Sequence, residues 1–120
     1  MRKSDKKIDN QIRKDLTQVC DSALESIAGF KWLTHQIDYA HFPQSLVITC
    51  VFDTNQSLST FLASESKAAI EDAIASKMLA LGVTRKQLNR CISYDSEEAC
   101  NAQDEGNWAR RLGKGKRSVH

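Results

Sequence analysis

Two histidines, a thiol and two carboxylates fall close together in the middle of the chain: His35, Asp38, His41, Cys50 and Asp53. A thiol beside an imidazole can act as nucleophile and base, with a carboxylate orienting the ring. The context of each residue argues against that use. Cys50 stands between Thr49 and Val51 in an apolar, β-branched run, where a thiol behaves as a small inert hydrophobe. His35 falls in an alternating segment that puts it at a strand surface or edge, and His41 flanks a turn. No G-x-S-x-G, phosphate-cradling Gly-rich loop, H-E-x-x-H or dinucleotide turn is present. The chain is therefore expected to have no catalytic residues.

Metal chemistry has little more support. The cysteines at 20, 50, 91 and 100 form no C-x-x-C pair and have no His at ligand spacing. They are expected to be buried, reduced thiols. "DTNQS" (53–57) offers oxygen ligands but lacks the Gly and distal Glu of a calcium loop, so a helix-capping turn explains it. No metal, cofactor or small-molecule substrate is indicated.

Charge is the more informative signal. Residues 1–14 carry Arg2, Lys3, Lys6, Lys7, Arg13 and Lys14 against Asp5 and Asp9, a net +4. Residues 106–120 carry Arg110, Arg111, Lys114, Lys116 and Arg117 and no acid, a net +5. The stretch between them has a net charge of −7, so the overall +2 conceals an acidic body with two basic ends. Basic ends of this kind suit polyphosphate. The candidate nucleic-acid contacts are Arg2, Lys3, Lys6, Lys7, Arg110, Arg111, Lys114, Lys116 and Arg117.

These side chains need a scaffold, and 120 residues with 41% hydrophobic content suffice for one modest core. The longest apolar run, "SLVITCVF" (45–52), is too short to span a bilayer. The charged start has no apolar segment behind it, so a cytoplasmic location is expected. Ile8, Ile12, Leu16, Val19, Ala23, Leu24 and Ile27 keep helical spacing, which predicts a helix over about 4–28 stopped by Gly29. Leu33, Ile37 and Tyr39 then alternate with Thr34, Gln36 and Asp38 as in a half-buried strand. "HFPQS" (41–45) turns the chain, and "LVITCVF" (46–52) predicts a central strand antiparallel to the first. Helical spacing returns from Leu58 to Leu81, with "SES" (64–66) a point where the helix can break. Asp95 and Glu98 form a capping-box pattern for a short helix, and Trp108 and Leu112 are the only large apolar residues beyond it. Trp108 is expected to pack on the body, or else to stack on a base.

Residues 79–95, "LALGVTRKQLNRCISYD", support two readings. In the first, Gly82 is a turn, Val83 a plug and Thr84 the cap of a helix exposing Arg85, Lys86, Gln87, Asn89 and Arg90. On those residues "LGVTRKQLNR" resembles the recognition unit of the factor-for-inversion-stimulation family of DNA-bending regulators. That resemblance implies a helix-turn-helix at 70–92, with Arg85, Gln87 and Asn89 reading bases and Lys86 and Arg90 holding phosphates. In the second reading, Thr84–Gln87 is a turn and Leu88–Tyr94 a third strand. Lys77 and Met78 fit a helix-turn-helix poorly and "CISYD" is a good strand end, which favours the second.

The resulting order is helix-strand-strand-helix-strand with a short C-terminal helix, an α+β two-layer sandwich. It is similar to KH-like folds such as the ribosome-binding factor A family, and to small bacterial proteins that load replicative helicases, although no G-x-x-G clamp is present. Through "MRKSDKKIDNQIR", "CVFDTNQSL" and "SYDSEEAC…NWARRL" the chain also resembles a small bacterial protein family of uncharacterised function. The expected organisation is one α+β domain over 1–105, with 1–7 frayed, and a basic tail over 106–120. The expected role is a non-catalytic binding module touching RNA or DNA through its basic ends. The alternatives are a protein-interaction or homodimerisation module and a helix-turn-helix transcriptional regulator.

Overall fold

In the computed structural model, which describes residues 3–113 and the backbone of 117–119, helices lie against a four-stranded mixed sheet. The first helix, α1 (Lys3–Ser26), buries Ile12, Leu16, Val19, Cys20 and Ala23, the face marked by its apolar spacing. It ends before Gly29, whose φ of 81° suits glycine. A Cβ at Gly29 would stand 2.4 Å from Ser57 Cβ and 2.8 Å from an Asp53 carboxylate oxygen, so the close approach of chain here also requires glycine.

Strands β1 (Phe30–Gln36) and β2 (Val47–Phe52) pair antiparallel, from Phe30 opposite Phe52 to Gln36 opposite Val47. The first strand ends before Ile37, earlier than its alternation suggested. Asp38 caps a 3-10 turn at Tyr39–His41 instead, accepting a hydrogen bond from the Ala40 N–H. The second helical region is two helices, α2 (Asn55–Leu62) and α3 (Glu65–Leu79), capped by Thr54 and Ser64. The break falls at "SES", where Ser64 Oγ donates to the Phe61 carbonyl at 2.7 Å.

Residues 84–96 contain both disputed elements in succession, which corrects the assignment of 84–87 as a turn and 88–94 as a strand. Helix α4 (Arg85–Cys91) comes first, and strand β3 (Ile92–Ser96) follows directly. Thr84 starts the helix with a reciprocal capping box: its hydroxyl accepts from the Gln87 N–H, and Gln87 Oε1 accepts from the Thr84 N–H. Leu88, expected in the strand, is buried from the helix. The strand pairs parallel to β2, with Ile92 opposite Ile48 and Ser96 opposite Phe52. The helices between β2 and β3 thus form a crossover, as a parallel pair requires.

Two short helices follow, α5 (Glu97–Asp104) and α6 (Trp108–Leu112). The cap of α5 is Ser96, which accepts from the Ala99 N–H, and not the expected Asp95. Helix α6 falls within the tail expected over 106–120 and packs on the sheet through Trp108. A short β4 (Arg117–Val119) pairs antiparallel with β1, giving the order β3-β2-β1-β4.

Leu33, Ile48, Cys50 and Phe52 face the layer of α1 to α4 in the main core with Phe61, Ile70, Ile74, Met78 and Leu88. Alternation sends Trp32 and Val51, opposite each other in register, to the other face. There Trp32 meets Trp108 edge to face at 4.8 Å between centroids. The architecture is the two-layer α+β sandwich, with its second sheet face partly covered by α5 and α6. Among the described residues, no helix is long and apolar enough to cross a membrane.

Candidate functional site

Of the groups that could do chemistry, the mid-chain set is dispersed by the fold. His35 is buried, 1% exposed, which corrects its expected place at a strand surface. Its Nε2 lies 3.5 Å from Asp9 Oδ1 on α1. Tyr39 donates to the same oxygen at 2.5 Å, and Arg13 Nε reaches Oδ2 at 2.8 Å. Burial lowers the pKa of His35, against the opposing pull of Asp9. Burial also pushes the Asp9 carboxyl up, but hydrogen bonds from Tyr39 and Arg13 outweigh it and leave the group below its usual value. His41 is on the surface, its Nδ1 2.9 Å from Asp38 Oδ2. Cys50 is buried, and loss of solvent pushes its thiol up to about 12. An uncharged thiol of this kind is a poor nucleophile.

The buried histidine sets a pH dependence. The unfolded chain takes up a proton near the ordinary imidazole value of 6.5, whereas folded His35 resists it. The unfolded state then binds more protons, so stability falls as the pH drops through about 6.5. Urea midpoints measured at pH 8 and pH 5.5 should differ in the wild type. They should differ less in His35→Gln, even if that variant is weaker at both.

The start of α1, the end of α4 and the start of the C-terminal chain are brought to one end of the sheet. Asp9 and its contacts with His35 and Tyr39 place the start of α1 at the Gln36 end of β1. Gln36 faces Val47, and Ile92 faces Ile48, so Cys91 at the end of α4 arrives at this same end. Gln36 Nε2 donates to the Leu112 carbonyl at 3.0 Å, and Arg117 pairs with Gln36, so the C-terminal chain also starts here. Lys3, Lys6, Lys7, Lys86, Asn89 and Arg90 are all exposed. Of the acids nearby, Asp5 is buried, Asp9 is held by Arg13 and Tyr39, and Asp38 by His41.

One element of this surface is more ordered than its sequence suggested. Lys3, Lys7, Asn10 and Lys14 are exposed and follow i, i+4, i+7, i+11, one stripe along α1 opposite its apolar face. At 1.5 Å per residue the stripe is about 16 Å long. Lys14 and Asn10 were not among the expected contacts, although this spacing was present in the sequence.

Other expected contacts have partners within the protein. Arg111 binds Asp95 with both Nε (2.6 Å) and Nη2 (2.9 Å), and its Nη1 reaches Asp104 and Gln103 at 2.9 Å. Arg110 binds Asp104 at 3.2 Å. On α4, Arg85 binds Asp72 at 2.8 Å and Gln87 closes the cap, leaving Lys86, Asn89 and Arg90 outward. Arg2, Lys114, Lys116 and the side chain of Arg117 lie outside the described residues.

The opposite end of the sheet is acidic. Glu25, Asp53, Glu65, Glu97 and Glu98 occur where α1 ends, β2 ends, α3 starts and β3 ends. There the Asn55 N–H donates to Glu98 Oε1 at 2.8 Å and Ser96 Oγ to Asn55 Oδ1 at 2.5 Å, tying α2 to α5. A groove of about 540 Å³ runs between α1 and α3, and its lining contains one ionisable group, Lys77, which donates to Gln18 at 2.6 Å.

No protein-family model, curated protein or solved structure matches the chain.

Proposed function

We propose that this protein is a non-catalytic binding module that takes a nucleic acid on its basic end. The observation that carries the reading is the convergence of the α1 stripe, the outward residues of α4 and the start of the C-terminal chain at the Gln36 end of the sheet. A surface of like charges held together by the fold is costly unless a polyanion neutralises it. Binding there rests on phosphate contacts and on release of the counterions they displace. Arg110 and Arg111 are assigned to the protein's own carboxylates. Lys86 and Arg90 act as phosphate contacts on α4, and Gln87 belongs to the helix cap.

The triple variant Lys3→Gln, Lys7→Gln, Lys14→Gln tests this on an unaltered core, since all three side chains are exposed. Each phosphate contact adds about 0.9 to the slope of log affinity against log salt on duplex DNA. The variant should therefore bind mixed-sequence DNA more weakly, with a slope smaller by about 2–3. Glu97→Gln with Glu98→Gln, at the other end, should leave the slope alone. The proposal is wrong if the wild type shows no affinity at low salt, or if the triple variant keeps the full slope.

A further inference from the structure

We propose that the nucleic acid held at the basic end is a double helix, gripped by its phosphates without regard to base sequence. This rests on the polyanion reading above and adds the form of the ligand. Proteins that hold single strands supply flat side chains on which successive bases stack, each stacked base adding substantially to affinity. This chain has four Phe, two Tyr and two Trp, and all of them fall within the described residues.

Each of these rings is buried or partly buried and packs on other side chains. Phe30 and Phe61 pack against Phe52, and Phe61 also packs against Tyr94. Tyr94 donates to Glu71 Oε2 at 2.5 Å, and Tyr39 donates to Asp9. Trp32 and Trp108 face each other across the second sheet face. Phe42 packs against the main core. No Phe, Tyr or Trp lies fully on the surface, and His41, whose ring is exposed, is paired with Asp38.

The basic end instead offers a line of exposed side chains along one helix, three of them lysines. Lys3, Lys7, Asn10 and Lys14 are fixed at one-turn intervals along α1, with Lys86, Asn89 and Arg90 on a second helix at the same end. A duplex carries about one negative charge per 1.7 Å of axis in a rigid array, which a rigid row of lysines can follow. Lysine also delivers a point charge, suited to phosphate and poorly suited to reading a base edge. Of the three base readers implied by the helix-turn-helix resemblance, Gln87 is held in its cap and Arg85 by Asp72, which leaves Asn89.

The test titrates the full chain, by isothermal titration calorimetry at low salt, against four probes: a short blunt DNA duplex, an RNA duplex of the same length, and the separated strands of each. Each is prepared in two base compositions. At least one duplex should bind about tenfold or more tighter per phosphate than its separated strands, with no dependence on composition. The DNA and RNA arms identify which duplex is preferred. Single strands that bind as tightly as both duplexes, or a strong dependence on composition, would overturn the duplex inference while leaving the polyanion reading intact. Absence of binding to all four probes overturns both.

Discussion

Replacing Phe52 with alanine should destabilise the fold by about 3–5 kcal/mol, the range for a buried Phe whose site cannot collapse. Phe52 is fully buried at the end of β2 and touches rings from two other elements, Phe30 on β1 at 5.7 Å and Phe61 on α2 at 4.7 Å. Its strand is flanked on both sides, so little backbone movement is available to close the cavity. For a domain of this size the loss is a large share of total stability. Urea unfolding followed by circular dichroism should show a midpoint far below wild type, or a chain unfolded without urea. Phe52→Leu, which keeps most of the volume, should recover a large part of the loss. A near-normal midpoint for the alanine variant would show that this ring cluster is not the centre of the core.

The second large effect is expected at Arg111, for a different reason. Its side chain is 16% exposed, and its partners Asp95 and Asp104 are 18% and 21% exposed. Removing the guanidinium leaves two half-buried carboxylates facing each other without a cation. Breaking a fully buried pair costs about 3–5 kcal/mol, and partial solvation here reduces that to about 2–3 kcal/mol for Arg111→Ala. Arg111→Lys should recover only part, because one ammonium cannot reproduce the two-pronged grip on Asp95 and the separate bond to Asp104. Under conditions where the variant is still folded, nucleic-acid affinity should be nearly unchanged. A large loss of affinity with little loss of stability would place Arg111 on the ligand.

That contrast marks where the sequence was informative. Helix α1 and strand β2 were legible because burial writes itself into spacing: Ile12, Leu16, Val19 and Ala23 on one face, a β-branched run through 46–52 on the other element. The segment 84–96 was harder, since a capped two-turn helix runs directly into a strand without a breaker between them. The Thr84–Gln87 box signals the helix and "ISYD" the strand, and each signal was extended over its neighbour. Strand direction was not legible, because parallel pairing of β2 and β3 depends on where the helices between them lead the chain. His35 was misplaced for a similar reason. Its burial depends on Asp9, a residue far off in sequence that supplies the polar partner.

The candidate site divides in the same way. The two basic ends were visible as charge counts, but their meeting at Gln36 comes from topology. Arg110 and Arg111 counted as free cations until the fold brought Asp95 and Asp104 to them. The lysine stripe on α1 was the part that spacing alone could have supplied.

The Trp32–Trp108 contact has a consequence for how unfolding is observed. The chain has no other tryptophan, and both indoles lie on the face of the sheet away from the Phe52 core. Intrinsic fluorescence of this protein therefore reports the seating of α6 on β1, whereas far-ultraviolet ellipticity is dominated by α1 and α3. The two signals monitor opposite sides of one sheet, and the gap between their transitions measures how tightly the C-terminal helix is coupled to the rest of the molecule.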